Sequence, residues 1–368
     1  LKDAYGPKVA LFSSEETTTD GVHYHPSVLT TPEALVLYQQ MAQAVENGLT
    51  HVVMEVSSQA YKTKRVFGLT FDLGIFLNIS PDHISPIEHE TFEEYFLCKQ
   101  ELLLHSKKMV MNHESDHFEV LENLCQINHI PYLTCGGSAA DYPVIAMDDP
   151  RTFELKSSTD PLAINGDYAL TMFGHFNHEN AAAALLATAW LETPRNHMKE
   201  SLSKCVIPGR MTLFDLPNGA LAFVDFAHNY LSLLSMGQLA KEIRPHGKAI
   251  VMTGSAGGKA LSRRKDMGLA ITQIYDVAIL TSDDPNFENP NAIADEIQQA
   301  IENPEVTVYR EMDREQAIYL ALSLAGPNDV VVLAGKGNEA SMKIEGHDAP
   351  YDGDAIYAQK WIATQKEA

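Results

Sequence analysis

The chain has 368 residues, of which 45% are hydrophobic and 21% charged, a composition that excludes a disordered or fibrous protein. Its formal net charge of −22 argues against a nucleic-acid or anionic-membrane partner, because both attract basic side chains. The length predicts two or three domains, and no apolar run reaches the roughly 18 residues of a membrane span.

In the first half, short apolar runs alternate with segments of helical period. The predicted strands are 8–12, 51–56, 73–78, 109–112 and 132–135. The predicted helices are 32–47, 91–105, 115–128 and 177–191. This alternation is typical of a parallel sheet with crossover helices. Between 141 and 174, shorter pieces with Gly and Pro predict antiparallel hairpins.

A second alternation begins after Pro208-Gly209. The predicted strands are 221–226, 248–253, 277–281, 306–309 and 330–334. The predicted helices are 232–243, 262–274, 291–301, 314–324 and 354–363. We therefore predict an α/β protein with domains 1–207 and 208–368. The second domain is expected to be Rossmann-like.

The four cysteines form no CxxC pair, so we expect buried free thiols in a reducing compartment and neither disulfides nor a zinc site. The first residues lack the apolar core of a signal peptide. The chain does not begin with Met, so we expect a fragment that was processed or truncated before Leu1.

Six polar clusters directly follow predicted strands, where parallel sheets bind their ligands. They span 55–58, 78–83, 225–229, 254–259, 282–286 and 335–339. Glu55 and His83 end two strands that we expect to be neighbours, and a carboxylate with an imidazole suits Mg²⁺ or Mn²⁺. Each residue also has a structural alternative, as a capped loop carboxylate and a structural His. Lys99 lies among apolar positions of a helix, where a snorkelling surface lysine is the alternative.

Several motifs, in order along nearly the whole chain, resemble the Mur ligase family. They are Thr30-Thr31-Pro32-Glu33, the Glu55–Ser58 segment, Asn78 with Asp82-His83, Tyr95-Phe96 with Lys99, Gly174-His175-Phe176-Asn177 with Asn180-Ala181-Ala182, Pro208-Gly209-Arg210-Met211 and Asp225-Phe226-Ala227-His228-Asn229. The resemblance implies an ATP- and Mg²⁺-dependent amide ligase of cytoplasmic peptidoglycan synthesis. Such an enzyme phosphorylates a substrate carboxylate, and an incoming amine then displaces the phosphate.

The resemblance also implies a role for single residues. Glu55 and His83 match the metal ligands, and Lys99 matches a lysine that becomes N-carboxylated. The residues matched to the UDP-N-acetylmuramoyl dipeptide are Thr30, Thr31, Ser57 and Arg65, and those matched to ATP are Asn180, Arg210, Asp225 and His228. For the Thr pair a helix N-cap is an alternative, and for Asn180 an amide at a helix start.

The loop Asp283-Asp284-Pro285-Asn286 concerns the choice of added amino acid. Family members that add diaminopimelate carry Arg at the last position, which grips the second carboxylate. Asn286 and the extra charge of Asp284 instead imply L-lysine as the substrate. The same residues also form a good turn sequence. Gly335 and Glu339 match the family's amino-acid-binding loop, in which Glu339 could hold the amine.

The chain also departs from the family pattern. By the resemblance we expect a Gly-rich phosphate loop, the strand and helix around it and a uridine-binding domain before residue 8, and the given residues do not include them. Residues 254–260 imitate that loop, but Ala260 replaces its hydroxyl residue, and Lys259 aligns only approximately with a substrate-contacting Arg. The alternatives are a folylpolyglutamate-type ligase or, favoured by the missing loop, a non-catalytic remnant that binds a nucleotide sugar or a partner. We expect a monomer with no membrane or nucleic-acid partner.

Overall fold

A computed structural model describes residues 1–85, 88–259 and 261–367 of the chain. These residues divide into two compact units, each with its own sheets and core. The first unit holds 1–81, 88–171 and 175–205, and the second holds 82–85, 172–174 and the rest from 206 onward. Among the described helices, none is long and apolar enough to cross a bilayer.

The first unit contains two sheets. Its helices are α1 (Lys2–Tyr5), α2 (Ala34–Glu46), α3 (Ser58–Lys62), α4 (Phe92–Leu104), α5 (Phe118–Ile127), α6 (His175–Trp190) and α7 (Arg195–Lys204). Its strands are β1 (Val9–Phe12), β2 (Glu16–Thr18), β3 (His25–Pro26), β4 (His51–Met54), β5 (Gly74–Phe76), β6 (Met109–Asn112), β7 (Tyr132–Gly136), β8 (Tyr142–Ala146), β9 (Thr152–Leu155) and β10 (Gly166–Ala169).

The smaller sheet has the order β3-β2-β1-β4, with β1 and β4 parallel. The larger sheet has the order β10-β9-β8-β7-β6-β5. Strands β5 to β8 are parallel, and β8, β9 and β10 form the antiparallel hairpins predicted for 141–174. Because β4 and β5 lie at the edges of different sheets, the expectation that they are neighbouring strands was wrong.

Both of these edge strands leave apolar side chains in solvent. Val52 and Val53 of β4 are 44% and 45% exposed, and Ile75 of β5 is 39% exposed. Strands of parallel sheets are usually buried on both faces. The edges formed by β4 and β5 therefore carry apolar surface that the described residues do not cover.

The second unit is built on one six-stranded sheet. Its helices are α8 (Tyr230–Ile243), α9 (Ser262–Ile274), α10 (Pro290–Gln299), α11 (Arg314–Leu324) and α12 (Asp354–Glu367). Its strands are β11 (Thr212–Asp215), β12 (Leu221–Asp225), β13 (Ala249–Thr253), β14 (Val277–Leu280), β15 (Thr307–Arg310), β16 (Val330–Ala334), β17 (Ser341–Ile344) and β18 (His347–Pro350).

The sheet order is β11-β12-β16-β13-β14-β15, and every neighbouring pair is parallel except β11 with β12. All residues of β13, β14 and β16 are buried, as their continuous apolar sequences predict. Side-chain caps start α11 and α8: the Asp313 carboxylate accepts the Gln316 N–H, and Asn229 and Ser232 form a capping box. The strands β17 and β18 form a separate hairpin.

The predicted helices and strands are all present, with ends that differ by a few residues. Prediction missed the shortest elements and those with polar sequences, namely α1, β2, β3, α3, α7, β11, β17 and β18. The four cysteines are free, as predicted, although Cys98 and Cys205 are only partly buried.

Candidate active site

In the first unit, a buried threonine joins the loop before α2 to the end of β4. The Thr31 hydroxyl donates to the Glu55 carbonyl at 3.0 Å and accepts the Ser57 N–H at 3.0 Å. Helix α2 begins at Ala34, and its N-cap residue Glu33 makes no side-chain cap bond. The N-cap interpretation of Thr30 and Thr31 was therefore wrong for this helix, because the Thr31 hydroxyl bonds to the strand end instead.

Arg65 and Ser57 reinforce the same strand end. The Arg65 guanidinium donates to the Thr31 carbonyl at 3.0 Å and forms an ion pair of 2.9 Å with Glu33. Ser57 is the N-cap of α3, since its hydroxyl accepts the Ala60 N–H at 3.2 Å. Three of the four residues predicted to bind the muramoyl dipeptide thus lie together, and Thr30 adjoins them in the chain.

Glu55 follows β4 directly and is exposed. One of its oxygens, Oε2, accepts the Ser14 hydroxyl at 2.9 Å and the Ser14 N–H at 3.3 Å. Sequence reasoning missed Ser14, which lies 41 positions from Glu55 and belongs to no motif. An exposed carboxylate with a hydroxyl beside it is a set of oxygen donors that fits Mg²⁺.

Lys99 and Asn180 lie on two helices of the first unit. Lys99 is partly buried on α4, with its Nζ 5.4 Å from the centre of the Tyr95 ring, so the interpretation as a solvated snorkelling lysine describes it incompletely. Asn180 is exposed and is the sixth residue of α6, so the alternative of an amide at a helix start was wrong. Its neighbour Glu179 accepts a bond of 2.9 Å from the Asn112 amide.

His83 belongs to the second unit, whereas Glu55 belongs to the first. His83 has a positive φ of 57° and follows the buried Asp82. Asp82 forms an ion pair of 2.7 Å with Arg263 and accepts a bond of 3.3 Å from Asn229. Burial raises the pKa of Asp82, but the charges of Arg263 and His83 outweigh it and hold that pKa at about 2. No group of three possible metal ligands occurs among the described residues.

Asp225 ends β12, and its carboxylate organises the backbone around it. One oxygen accepts the Met211 N–H at 2.9 Å and the other accepts the Ala227 N–H at 2.8 Å. Burial raises the pKa of Asp225, although these bonds act in the opposite direction. The exposed Arg210 guanidinium lies 5.0 Å from the centre of the Phe226 ring. Asp225 therefore ties the loop that carries Arg210 to the strand end.

His228 lies in the loop between β12 and α8. Its Nδ1 is 2.7 Å from the Phe226 carbonyl, which can only accept, so Nδ1 carries the proton. Burial, followed by the charge of Arg263, lowers the pKa of His228 to about 4. At neutral pH the imidazole is therefore uncharged, and its Nε2 can accept a hydrogen bond from a ligand hydroxyl or amino group.

In the loop after β14, the acidic residues have partners within the protein. Asp283 is buried with its Oδ2 3.8 Å from Arg314. Asp284 Oδ1 accepts bonds of 2.8 Å from the Lys336 ammonium and from the Lys343 N–H. Asn286 has a φ of 53° and its Oδ1 accepts the Gly346 N–H at 2.9 Å. The loop is thus a structured turn, held by the β17–β18 hairpin, and the buried Pro285 belongs to it.

The loop after β16 meets the acidic residues directly. Gly335 has a φ of 117°, and a Cβ built on it would lie 2.3 Å from Asp283 Oδ2, so a side chain here would collide with the carboxylate. Glu339 forms an ion pair with Lys336. Burial raises the pKa of Glu339, and the Lys336 ammonium opposes this rise. The structure therefore brings together Asp283, Asp284, Gly335 and Glu339, which the sequence predicted as one site.

Sequence analysis did not propose three buried ionic residues of this cluster as site residues. Lys336 bonds to Asp284, and Arg314 makes two bonds, of 2.8 and 2.7 Å, to Asp354. The Gly-Lys-Gly sequence that directly follows the apolar β16 was an available signal for Lys336. The sequence did not indicate that Arg314 and Asp354 are buried, because each is the first residue of a helix, where charged residues are usually on the surface.

Comparison with known proteins identifies the family. Residues 6–188 match the model of the Mur ligase middle domain, and residues 209–337 match the model of the Mur ligase glutamate ligase domain. The chain belongs to the Mur ligase family. It is therefore an ATP-dependent amide ligase by class, as the sequence motifs predicted.

Two curated relatives are similar over nearly the whole chain. One is the UDP-N-acetylmuramoyl-L-alanyl-D-glutamate–L-lysine ligase of Enterococcus faecalis, 46% identical over 96% of this chain and 71% of that protein. The other is the UDP-N-acetylmuramyl-tripeptide synthetase of Lactococcus lactis subsp. cremoris, 43% identical over 97% of this chain and 72% of that protein.

Solved structures of the family share the fold. A UDP-N-acetylmuramoyl-L-alanyl-D-glutamate–2,6-diaminopimelate ligase superposes with a TM-score of 0.61 at 25% identity, covering 100% of this chain and 74% of that one. MurF from Acinetobacter baumannii gives a TM-score of 0.66 at 14% identity, covering 99% of this chain and 71% of that one. These likenesses confirm the α/β fold class.

Proposed function

We propose that this Mur ligase adds L-lysine to UDP-N-acetylmuramoyl-L-alanyl-D-glutamate, with ATP and Mg²⁺, in cytoplasmic peptidoglycan synthesis, and that it acts as a monomer. The observation that carries the choice of lysine is the acidic cluster around Asp283, Asp284 and Glu339. No Arg stands at position 286, where a guanidinium would grip a second substrate carboxylate. The names of the curated relatives support the same substrate.

The residues at the end of β4 suit the muramoyl dipeptide. Thr30, Ser57 and Arg65 offer hydroxyl groups and a guanidinium, which are good partners for diphosphate and carboxylate oxygens. Arg65 is already held by Thr31 and Glu33, so its position is fixed before a ligand arrives. Preorganised donors of this kind bind without a further loss of side-chain freedom.

In the second unit, Arg210, Asp225 and His228 suit a nucleotide. Neutral His228 offers an acceptor, and Asp225 fixes the loop that presents the Arg210 cation. ATP, when bound, supplies the phosphoryl group that makes the substrate carboxylate reactive. We propose Asn180 as a further ATP contact because its amide is exposed on α6.

The proposed metal ligands are Glu55 and His83, and Lys99 is proposed to be N-carboxylated. Mg²⁺, when bound, neutralises charge on the transferred phosphoryl group. A carbamate on Lys99 would change this side chain from a cation into an anion. If so, Lys99→Ala abolishes turnover in the full-length enzyme, and short-chain carboxylates partly restore it. Full activity of Lys99→Ala without any added carboxylate would contradict the modification.

The test is product formation by the full-length enzyme with the UDP-muramoyl dipeptide, L-lysine, ATP and Mg²⁺. We expect equimolar ADP, phosphate and a product whose mass has increased by one lysine residue, as measured by mass spectrometry. ADP release that does not depend on lysine, without this product, would contradict the proposed function.

A further inference from the structure

Lys336 is an ammonium group placed almost completely inside the second unit. It is the second residue after β16, its side chain is only 1% exposed, and it contacts Asp284 Oδ1 at 2.8 Å and Glu339 Oε2. The same two carboxylates are those proposed to receive the incoming amino acid. Burying a lone ammonium is strongly unfavourable, so these contacts are what allows Lys336 to remain charged.

The cluster contains more negative than positive groups. Arg314 is matched by the two bonds it makes to Asp354. Arg314 also lies 3.8 Å from Asp283. Lys336 interacts with Asp283, Asp284 and Glu339, so two buried cations share four carboxylates. The exposed Lys259 also acts on Asp284 but belongs to another loop. Four carboxylates around two buried cations leave capacity for a second ammonium.

The contacts of Lys336 also fix which carboxylate oxygens remain for that cation. Asp284 uses Oδ1 for both Lys336 and the Lys343 N–H, so neither of these bonds occupies its Oδ2. Glu339 uses Oε2 for Lys336, and it is more exposed than Lys336, with 39% of its side chain accessible. A second ammonium can therefore reach the acidic cluster from the side of Glu339.

We propose that Lys336 is a positioning residue: its buried ammonium holds Asp284 and Glu339 so that their second oxygens receive the ammonium of the incoming lysine. This inference rests on the proposed function and names a residue that acts through two others. The chemistry recognised is a primary ammonium on an unbranched side chain, bound between two carboxylates that already share one internal cation.

The test compares Lys336→Met with wild type in the full-length enzyme. We expect the KM for L-lysine to rise on the order of 10- to 1,000-fold, as when one partner of a buried charge pair is removed. The KM for ATP should stay as in wild type, because the nucleotide is assigned to other residues. Lys360→Met is the matched control, since Lys360 is half exposed and pairs with Asp352 on the surface.

The pH profile separates positioning from a merely structural role. Glu339 must be ionised to bind an ammonium, and Lys336 opposes the rise that burial causes in the pKa of Glu339. Asp283 and Asp284 also face Glu339 and raise its pKa. Without Lys336 that pKa rises further, so the acid limb of kcat/KM for lysine should move to higher pH.

A second substitution tests whether Lys336 acts through Asp284. In an Asp284→Asn background, Lys336→Met should raise the KM for lysine much less than it does in wild type. If the Met variant loses its cooperative thermal transition, the KM for lysine is measured on Lys336→Gln instead. This variant keeps a hydrogen-bond donor but removes the charge. An unchanged KM for lysine, or equal rises in the KM values for lysine and ATP, would overturn the inference. Absence of lysine addition by the wild type would instead overturn the proposed function.

Discussion

The two units present their strand-end residues in opposite ways. In the first unit Glu55 is exposed, and the strand before it carries two valines that are nearly half exposed. In the second unit Asp225, Asp283 and Lys336 are buried. Asp225 ends β12, and the other two lie just after β14 and β16; these strands have no exposed residue, and only the first residue of β12 is partly exposed. The contrast indicates that the first unit has an open edge at its proposed ligand site, whereas the proposed site of the second unit is fixed by internal ion pairs.

The same contrast explains what sequence could predict. The central strands β13, β14 and β16 of the second unit were predicted because their continuous apolar runs have one stable environment, a covered parallel sheet. The hairpin β17–β18 was missed because its sequence is polar and its role is to hold Asn286. Local pattern contains no information about such a distant partner.

For the candidate site, too, the sequence predicted local features but not contacts between residues that are far apart in the chain. Motifs identified the residues at strand ends, but the bond from Lys336 to Asp284 joins positions 52 residues apart, and only folding brings them together. Ser14 and Glu55 are a second example. The family resemblance identified the functional loops, whereas only the structure showed the ion-pair and hydrogen-bond partners of the loop residues.

The largest effect is expected at the open edge. Glu55→Ala should reduce turnover of the full-length enzyme on the order of 10²–10³-fold, if the carboxylate helps a cation stabilise developing charge. Because Glu55 is exposed, the unfolding temperature should change little. Glu46→Ala is the control, since Glu46 is an exposed carboxylate at the end of α2. Near-normal turnover of both Glu55→Ala and His83→Ala at saturating Mg²⁺ would remove the metal assignment.

A matched pair of isoleucines tests the difference in coverage. Ile279 of β14 is fully buried, so Ile279→Ala should destabilise the second unit by about 2–5 kcal/mol. Ile75 of β5 is 39% exposed, and Ile75→Ala should cost roughly 1 kcal/mol or less. Urea unfolding, followed by a probe in each unit, gives both values. Equal losses would show that the edge of the first unit is covered after all.

A smaller effect is expected from His228. Its pKa is about 4 in the folded protein, against an ordinary value of about 6.5. The unfolded chain therefore binds more protons between these values, so this contribution to stability is complete above about pH 6.5 and is lost as the pH falls towards 4. His228→Gln should flatten the pH dependence of unfolding in that window. A variant with the same slope as wild type would show that His228 titrates normally.

The choice of amino acid tests the central claim most directly. The full-length enzyme should be assayed with L-lysine and with meso-diaminopimelate over a concentration series. Position 286 offers no guanidinium for the second carboxylate, and the acidic cluster repels that carboxylate. This should cost on the order of 2–5 kcal/mol, a preference for lysine of tens to thousands of fold. Asn286→Arg should narrow this gap only in part, since Asn286 has a positive φ and its side chain holds Gly346. A kcat/KM for lysine that far exceeds the value for diaminopimelate would support the account, whereas equal values or a preference for diaminopimelate would contradict it.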